Sequence, residues 1–371
     1  MKKVLVCLLI IMVIMASPLF LGFASAESLY DSAAAEFGSE KLDDELSKEE
    51  KIITGEFDAR GNMDVSAALA RLWKSFVSEI CEEIKTNIHY FVSLAVLTLV
   101  CAMGAALCDS KEIQSYMELA ACGFAANIVM GSVEGIISQT VDAMYRLSDY
   151  SKAALPVVFS AAAAGGAVSS AATKFAAVTF ALDVIMSVSQ KVIIPIVYSF
   201  LALSLANSMF PSAIVGAVQK ICKWLTGTLM TGMTLAFTSY ISMVGVIGAA
   251  VDTTAVKAAR SFISGVLPVV GGMISDTSAM VLSAAGVIRN CAGVFGLLAV
   301  AAICAGPFAV LSVKMLLLKA VAATADSMQI NRLSSLYSGF GTAMGILLGL
   351  LGSCGIMLFI SLTAGMKAVI I

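Results

Sequence analysis

From His89 to Cys108 the chain runs about 20 residues without a charged side chain, which is the length a helix needs to cross roughly 30 Å of hydrocarbon. Comparable apolar windows follow at 117–137, 154–173, 175–210, 225–251, 262–288, 291–318 and 339–371. Composition agrees: 59% of the 371 residues are hydrophobic, 13% are charged and the mean hydropathy is +0.95, well outside the range of soluble globular chains. The expected fold is therefore all-α, a polytopic transmembrane helical bundle of about six to eight spans, with the domain running over 89–371. Pro195 and Pro307 fall well inside two of the windows, and 175–210 is too long for one straight crossing, so both windows are expected to be kinked or broken helices.

The N-terminus reads differently. Met1-Lys2-Lys3, an apolar stretch and then Ala24-Ser25-Ala26 have the order of a cleavable signal peptide over 1–26. An uncleaved anchor is the alternative, and either one places Glu27 outside the membrane. The segment 27–64 holds 12 acids against 4 bases, which predicts an acidic exported arm, partly disordered and too polar to build a core. Over 65–88, apolar residues recur at Leu69, Leu72, Trp73, Phe76, Val77, Ile80 and Ile84 with charges between them. That pattern predicts an amphipathic interfacial helix leading into the first span.

An internal duplication is also expected. LPVV occurs at Leu155 and again at Leu267, and the same 112-residue offset takes Pro195 onto Pro307, giving repeat units of about 124–210 and 237–328. Within the second LPVV stretch, Pro268 can open a helix that carries Asp276 about 12 Å along its axis, with Gly271 and Gly272 one turn earlier. Small residues let another backbone approach, and a carboxylate facing lipid costs several kcal/mol, so this face is expected to meet protein or water. Asp183 poses the same question in the first unit. Two roles fit these acids: lining a pore or coupling site, or hydrogen-bonding between helices near a displaced helix end.

Other chemistry finds little support. No Gly-Lys-Ser/Thr phosphate loop is present, so any nucleotide-driven step falls to another protein. His89 is the single histidine, and the nine cysteines contain no C-x-x-C pair and read as small apolar side chains. No catalytic residue, metal site or cofactor is expected, nor an enzyme, and no basic–aromatic surface points to nucleic acid.

The stretch 256–298 carries a resemblance. Lys257 and Arg260 lead into Pro268 to Gly272, then Asp276, then Arg289-Asn290 followed by Gly293 and Gly296. This order resembles the signature region of the stage III sporulation protein AE family of endospore-forming Firmicutes. The resemblance implies a membrane subunit of the channel or secretion-like complex joining mother cell and forespore, placed in the mother-cell membrane that surrounds the forespore. Its implied partners are the other stage III membrane proteins of the same operon, including a cytoplasmic ATPase, with self-association and the lipid bilayer. A stand-alone secondary transporter and a non-conducting scaffold for complex assembly are the alternatives. The expected packing has a 262–298 hairpin closing through Gly271, Gly272, Gly293 and Gly296 onto an equivalent hairpin, with Asp276 and Arg289 along a polar seam.

Overall fold

The computed structural model describes residues 65–108, 110–165, 168–266 and 271–366, with separate positions between Leu42 and Thr54. The side chains of 245–284 lie outside the described set. The elements are α1 (Val65–Leu107), α2 (Lys111–Ala164), α3 (Val168–Val188), a π-turn (Ser189–Ile193), α4 (Ile194–Met209), α5 (Ala213–Val266), α6 (Gly271–Ser327) and α7 (Asn331–Met366). All regular structure among the described residues is helical. Five stretches are long and apolar enough to cross a membrane: Val65–Leu107, Lys111–Ala164, Val168–Met209, Ala285–Ser327 and Asn331–Met366.

The helices are fewer and longer than the apolar windows suggest. Window 117–137 and the first part of 154–173 join in α2, whose 54 residues run roughly 81 Å at 1.5 Å per residue, while the rest of 154–173 falls in α3. The intervening VDAMYRLSDYSK is helical because Ala143, Met144, Leu147, Tyr150 and Ser151 keep the 3.6-residue buried stripe unbroken while Asp142, Arg146, Asp149 and Lys152 point outward. Windows 262–288 and 291–318 are likewise not separate spans, because α6 runs uninterrupted from Gly271 to Ser327.

The two inner prolines behave differently. Before Pro195 the helix loosens into the π-turn, where the Ile194 N–H bonds to the Ser189 carbonyl five residues back. Proline has no N–H to offer the preceding turn, and a wider turn absorbs the misfit. Pro307 instead stays inside continuous α6. Of the positions paired by the 112-residue offset, the second LPVV at 267–270 lies outside the described residues. Leu155 lies inside α2, short of its end at Ala164.

Packing centres on α6 and α7. Gln329, at φ 62°, makes the left-handed turn between them, and the Ile330 N–H closes on the Ala325 carbonyl at 3.0 Å. The pair then runs antiparallel with glycines of α7 against side chains of α6. A β-carbon at Gly345 would lie 3.2 Å from Met315 Sδ, one at Gly352 3.2 Å from Phe308 Cζ, and one at Gly355 3.3 Å from Cys304 Sγ. Small residues allow this approach, and Phe340, Met344, Leu347, Leu351 and Met357 of α7 are fully buried as a result.

α1 runs antiparallel to α2 and parallel to α6. Gln114 Nε2 donates to the Ala105 and Cys108 carbonyls at 2.9 and 2.7 Å, satisfying acceptors that the end of α1 leaves open. The helical reading of 65–88 holds, since α1 continues without interruption into the first span. Its setting differs from an interfacial helix lying flat: Ala68 and Leu72 are buried against Leu298, Ala302 and Ala305 of α6, while Trp73 is 50% exposed.

A few positions of the acidic arm are described as well. Leu42, Leu46, Glu50 and Thr54, four residues apart, are all buried, and both leucines join the main core. Ser47 and Glu50 cap each other, with the Ser47 N–H on Glu50 Oε2 at 2.8 Å and the Glu50 N–H on Ser47 Oγ at 3.4 Å. High charge hid a four-residue apolar spacing that docks this stretch.

Gly355→Leu should overpack the α6–α7 contact and cost about 1–3 kcal/mol, seen as a lower Tm of the detergent-purified protein. Gly131→Leu, where a β-carbon would meet nothing within 4 Å, should leave the Tm unchanged.

Candidate functional site

Two clusters of charged side chains among the described residues link several helices. The first is built on α1 and α6. Ala68, Leu72, Glu79, Glu83, Tyr90 and Leu94 share one face of α1, so the two glutamates continue the inward stripe of the apolar residues before them. Glu83 Oε1 lies 3.6 Å from Lys314 Nζ, both side chains being at most 20% exposed. Asn87 Nδ2 donates to the same Glu83 oxygen at 2.7 Å, which leaves the carboxylate held from two sides. Glu79 reaches the Gly306–Pro307 step of α6, and a β-carbon at Gly306 would stand 3.4 Å from each of its carboxylate oxygens. Glu50 of the arm pairs with Arg146 of α2.

The second place is the turn end of the bundle. Arg332, at the start of α7, donates from Nη1 to the Met209 carbonyl at 2.8 Å and from Nη2 to Ser115 Oγ at 2.9 Å, and its Nε lies 3.9 Å from Glu118 Oε2. One guanidinium thus ties together the starts of α2 and α7 and the end of α4. An open cleft of about 400 Å³ beside it is lined by Tyr116, Leu119, Phe210 and Pro211 among others.

Both arrangements are fixed by paired charges, so their evident work is to hold helices in register. Each buried charge has lost water, and its partner restores part of that cost. Among the described residues no group of three or more His, Cys, Asp or Glu could hold a metal ion.

The residues singled out from the sequence scatter. Pro268 and the side chain of Asp276 lie outside the described residues, and Gly271 and Gly272 open α6 there. Arg289 is buried in α6, whereas the adjacent Asn290 is exposed. Gly293 and Gly296 do face a helix of this chain, meeting Met366 and Leu362 of α7. α6 itself continues past residue 298 to Ser327. Asp183 is exposed on α3 and lies within electrostatic reach of Lys152, which pairs with Asp149 at 2.9 Å. Pro307 is half-buried beside Gly306.

The inward placement of Glu79 and Glu83 is hidden in the sequence because the charges of 65–88 are interleaved with its apolar residues. A usable signal was present: Lys314 is the one charge in the 291–318 window, and an isolated cation in an apolar run calls for a carboxylate. Lys314→Met should destabilise the purified protein by less than the about 3–5 kcal/mol of a fully buried broken pair, and adding Glu83→Gln should recover part of the loss. A double-mutant cycle on thermal unfolding in detergent measures the coupling.

The sequence profile of the family described as Stage III sporulation protein AE matches residues 54–368. One curated relative, the Stage III sporulation protein AE of Bacillus subtilis (strain 168), is 22% identical over 251 residues, covering 66% of this chain and 62% of the relative. The chain thus spans less than two thirds of that relative's length. No solved structure matches. The profile takes in both polar clusters and every helix from α1 to α7, and on that extent the chain belongs to the stage III sporulation protein AE family.

Proposed function

We propose that this protein is a multi-pass membrane subunit of the channel or secretion-like complex that links mother cell and forespore, in the mother-cell membrane around the forespore. The observation that carries the reading is the family match over 54–368. Five apolar helices of spanning length support the membrane setting. In this reading the chain is not an enzyme, and energy comes from a cytoplasmic ATPase of the same operon. The described core is filled along α7 by Phe340, Met344, Leu347 and Leu351. A conduit, on this proposal, therefore runs between this chain and its partners or further copies of itself. Paired charges such as Glu83–Lys314 and Arg332–Glu118 suit a rigid wall better than a moving carrier.

The reading is tested in an endospore-forming host that carries a tagged copy. Cross-linking during engulfment should recover the ATPase and the other stage III membrane proteins with the tag, and deletion should stall forespore development. Recovery of the tagged chain alone, or normal spores from the deletion strain, would sink it.

A further inference from the structure

α2 is far too long to lie within one bilayer, since roughly 30 Å of hydrocarbon takes up about 20 residues of a helix. Its outward face tells which residues those are. From Ile113 to Met130 that face carries Ile113, Tyr116, Phe124 and Met130, all at least 45% exposed. Beyond it most exposed positions are polar, with Glu134, Gln139, Asp142, Arg146, Asp149 and Lys152, Tyr145 being the exposed aromatic among them.

The antiparallel α1 makes the same change at the same level. Val92, Val96, Leu99, Val100, Met103 and Leu107 point outward along its second half. Its first half exposes Arg71, Lys74, Glu82 and Lys85, with Trp73, Val77 and Ile84 between the charges. The levels are locked together by Tyr90, whose hydroxyl donates to the Ile128 carbonyl at 2.9 Å and accepts from Ser132 Oγ at 3.2 Å. A third helix agrees. Exposed Lys191 is followed by 192–210 without a charge, and that run ends at the Met209 carbonyl, which Arg332 joins to Ser115 near the start of α2. The apolar runs on α1, α2 and α4 are each about one bilayer thick, and their outer ends meet at the Arg332 cluster. On α5, exposed Lys220 and Lys223 lie in the first three turns, where lysine can snorkel to the surface.

We infer that lipid surrounds only the half of the α1–α2 hairpin between Ile88 and about Ser132. The other half, residues 65–87 and 133–164 with the docked stretch around Glu50, is then a water-facing helical body on the exported side. It projects roughly 35–50 Å at 1.5 Å per residue. This rests on the reading of the chain as bilayer-embedded, and its side rests on the N-terminal leader. The long apolar runs of α6 and α7 do not contradict it, because in this half they are interior: Ala292, Phe295, Ala299, Val300, Met357 and Leu358 are fully buried. Burial in a protein core and burial in lipid look alike in hydropathy.

The full-length chain is placed in the inner membrane of a bacterial host, and spheroplasts are treated with a membrane-impermeant maleimide before and after detergent. Cys81, exposed in the water-facing half, should label without detergent. In a Cys81→Ser background Ser138→Cys should do the same, while Val96→Cys and Phe124→Cys should stay unlabelled until detergent is added. Protection of positions 81 and 138 in spheroplasts, or labelling at 96 or 124, overturns the proposal. Release of the chain from membranes by carbonate would instead defeat the bilayer reading on which it rests.

Discussion

The close approach of α6 and α7 is the contact on which the rest of the bundle depends. Apolar helices gain little from leaving lipid for one another, so their association relies on dispersion over a tightly fitted surface. Gly345, Gly352 and Gly355 provide that fit by admitting Met315, Phe308 and Cys304 at the distance of a missing β-carbon. The tight turn at Gln329 sets the register of the pair. Other helices use glycines of α7 in the same way: Gly339 faces Ser204 of α4, Gly349 faces Met230 of α5, and Gly365 faces Val158 of α2. A single helix with small residues around its circumference can thus serve as the axis for several neighbours.

Charge plays the second part, and its value lies in placement more than in net stability. Burying Glu83 and Lys314 costs solvation that their attraction only partly returns, but a misplaced register would leave each without its partner and cost more. The pair therefore discriminates against sliding of α1 along α6, a motion that apolar packing by itself resists weakly. Arg332 acts likewise where α2, α4 and α7 come together, because its donors reach a backbone carbonyl, a hydroxyl and a carboxylate on different elements. The Glu50–Arg146 pair extends the principle to the arm, fastening an otherwise acidic stretch to α2.

Much of the architecture was legible in the sequence and some of it was not. Helical class, apolar helices of spanning length and the loosened turn before Pro195 follow from apolar length and from proline's missing N–H, both local properties. Span boundaries do not follow, because hydropathy averages over the whole circumference: the outward charges of Asp142, Arg146 and Asp149 read as a loop although the inward face of α2 never loses its stripe. The four-residue spacing of Leu42, Leu46, Glu50 and Thr54 in the arm is hidden for the same reason, being submerged in acids. Of the site candidates, Gly293 and Gly296 face Met366 and Leu362 of α7, Arg289 is buried, and Asn290 and Asp183 are exposed. Asp276 lies beyond the described side chains, so its role rests on the sequence pattern.

What the amino-acid order determined by itself was the helical form and the apolar length of most segments, together with a family signature readable as a linear string. Which face of each helix turns inward, and therefore which carboxylate meets Lys314 or Arg146, was decided only by tertiary structure. The reason is geometric: partners such as Glu83 and Lys314 are more than two hundred positions apart, and only the register set by small residues between helices brings them within 3.6 Å.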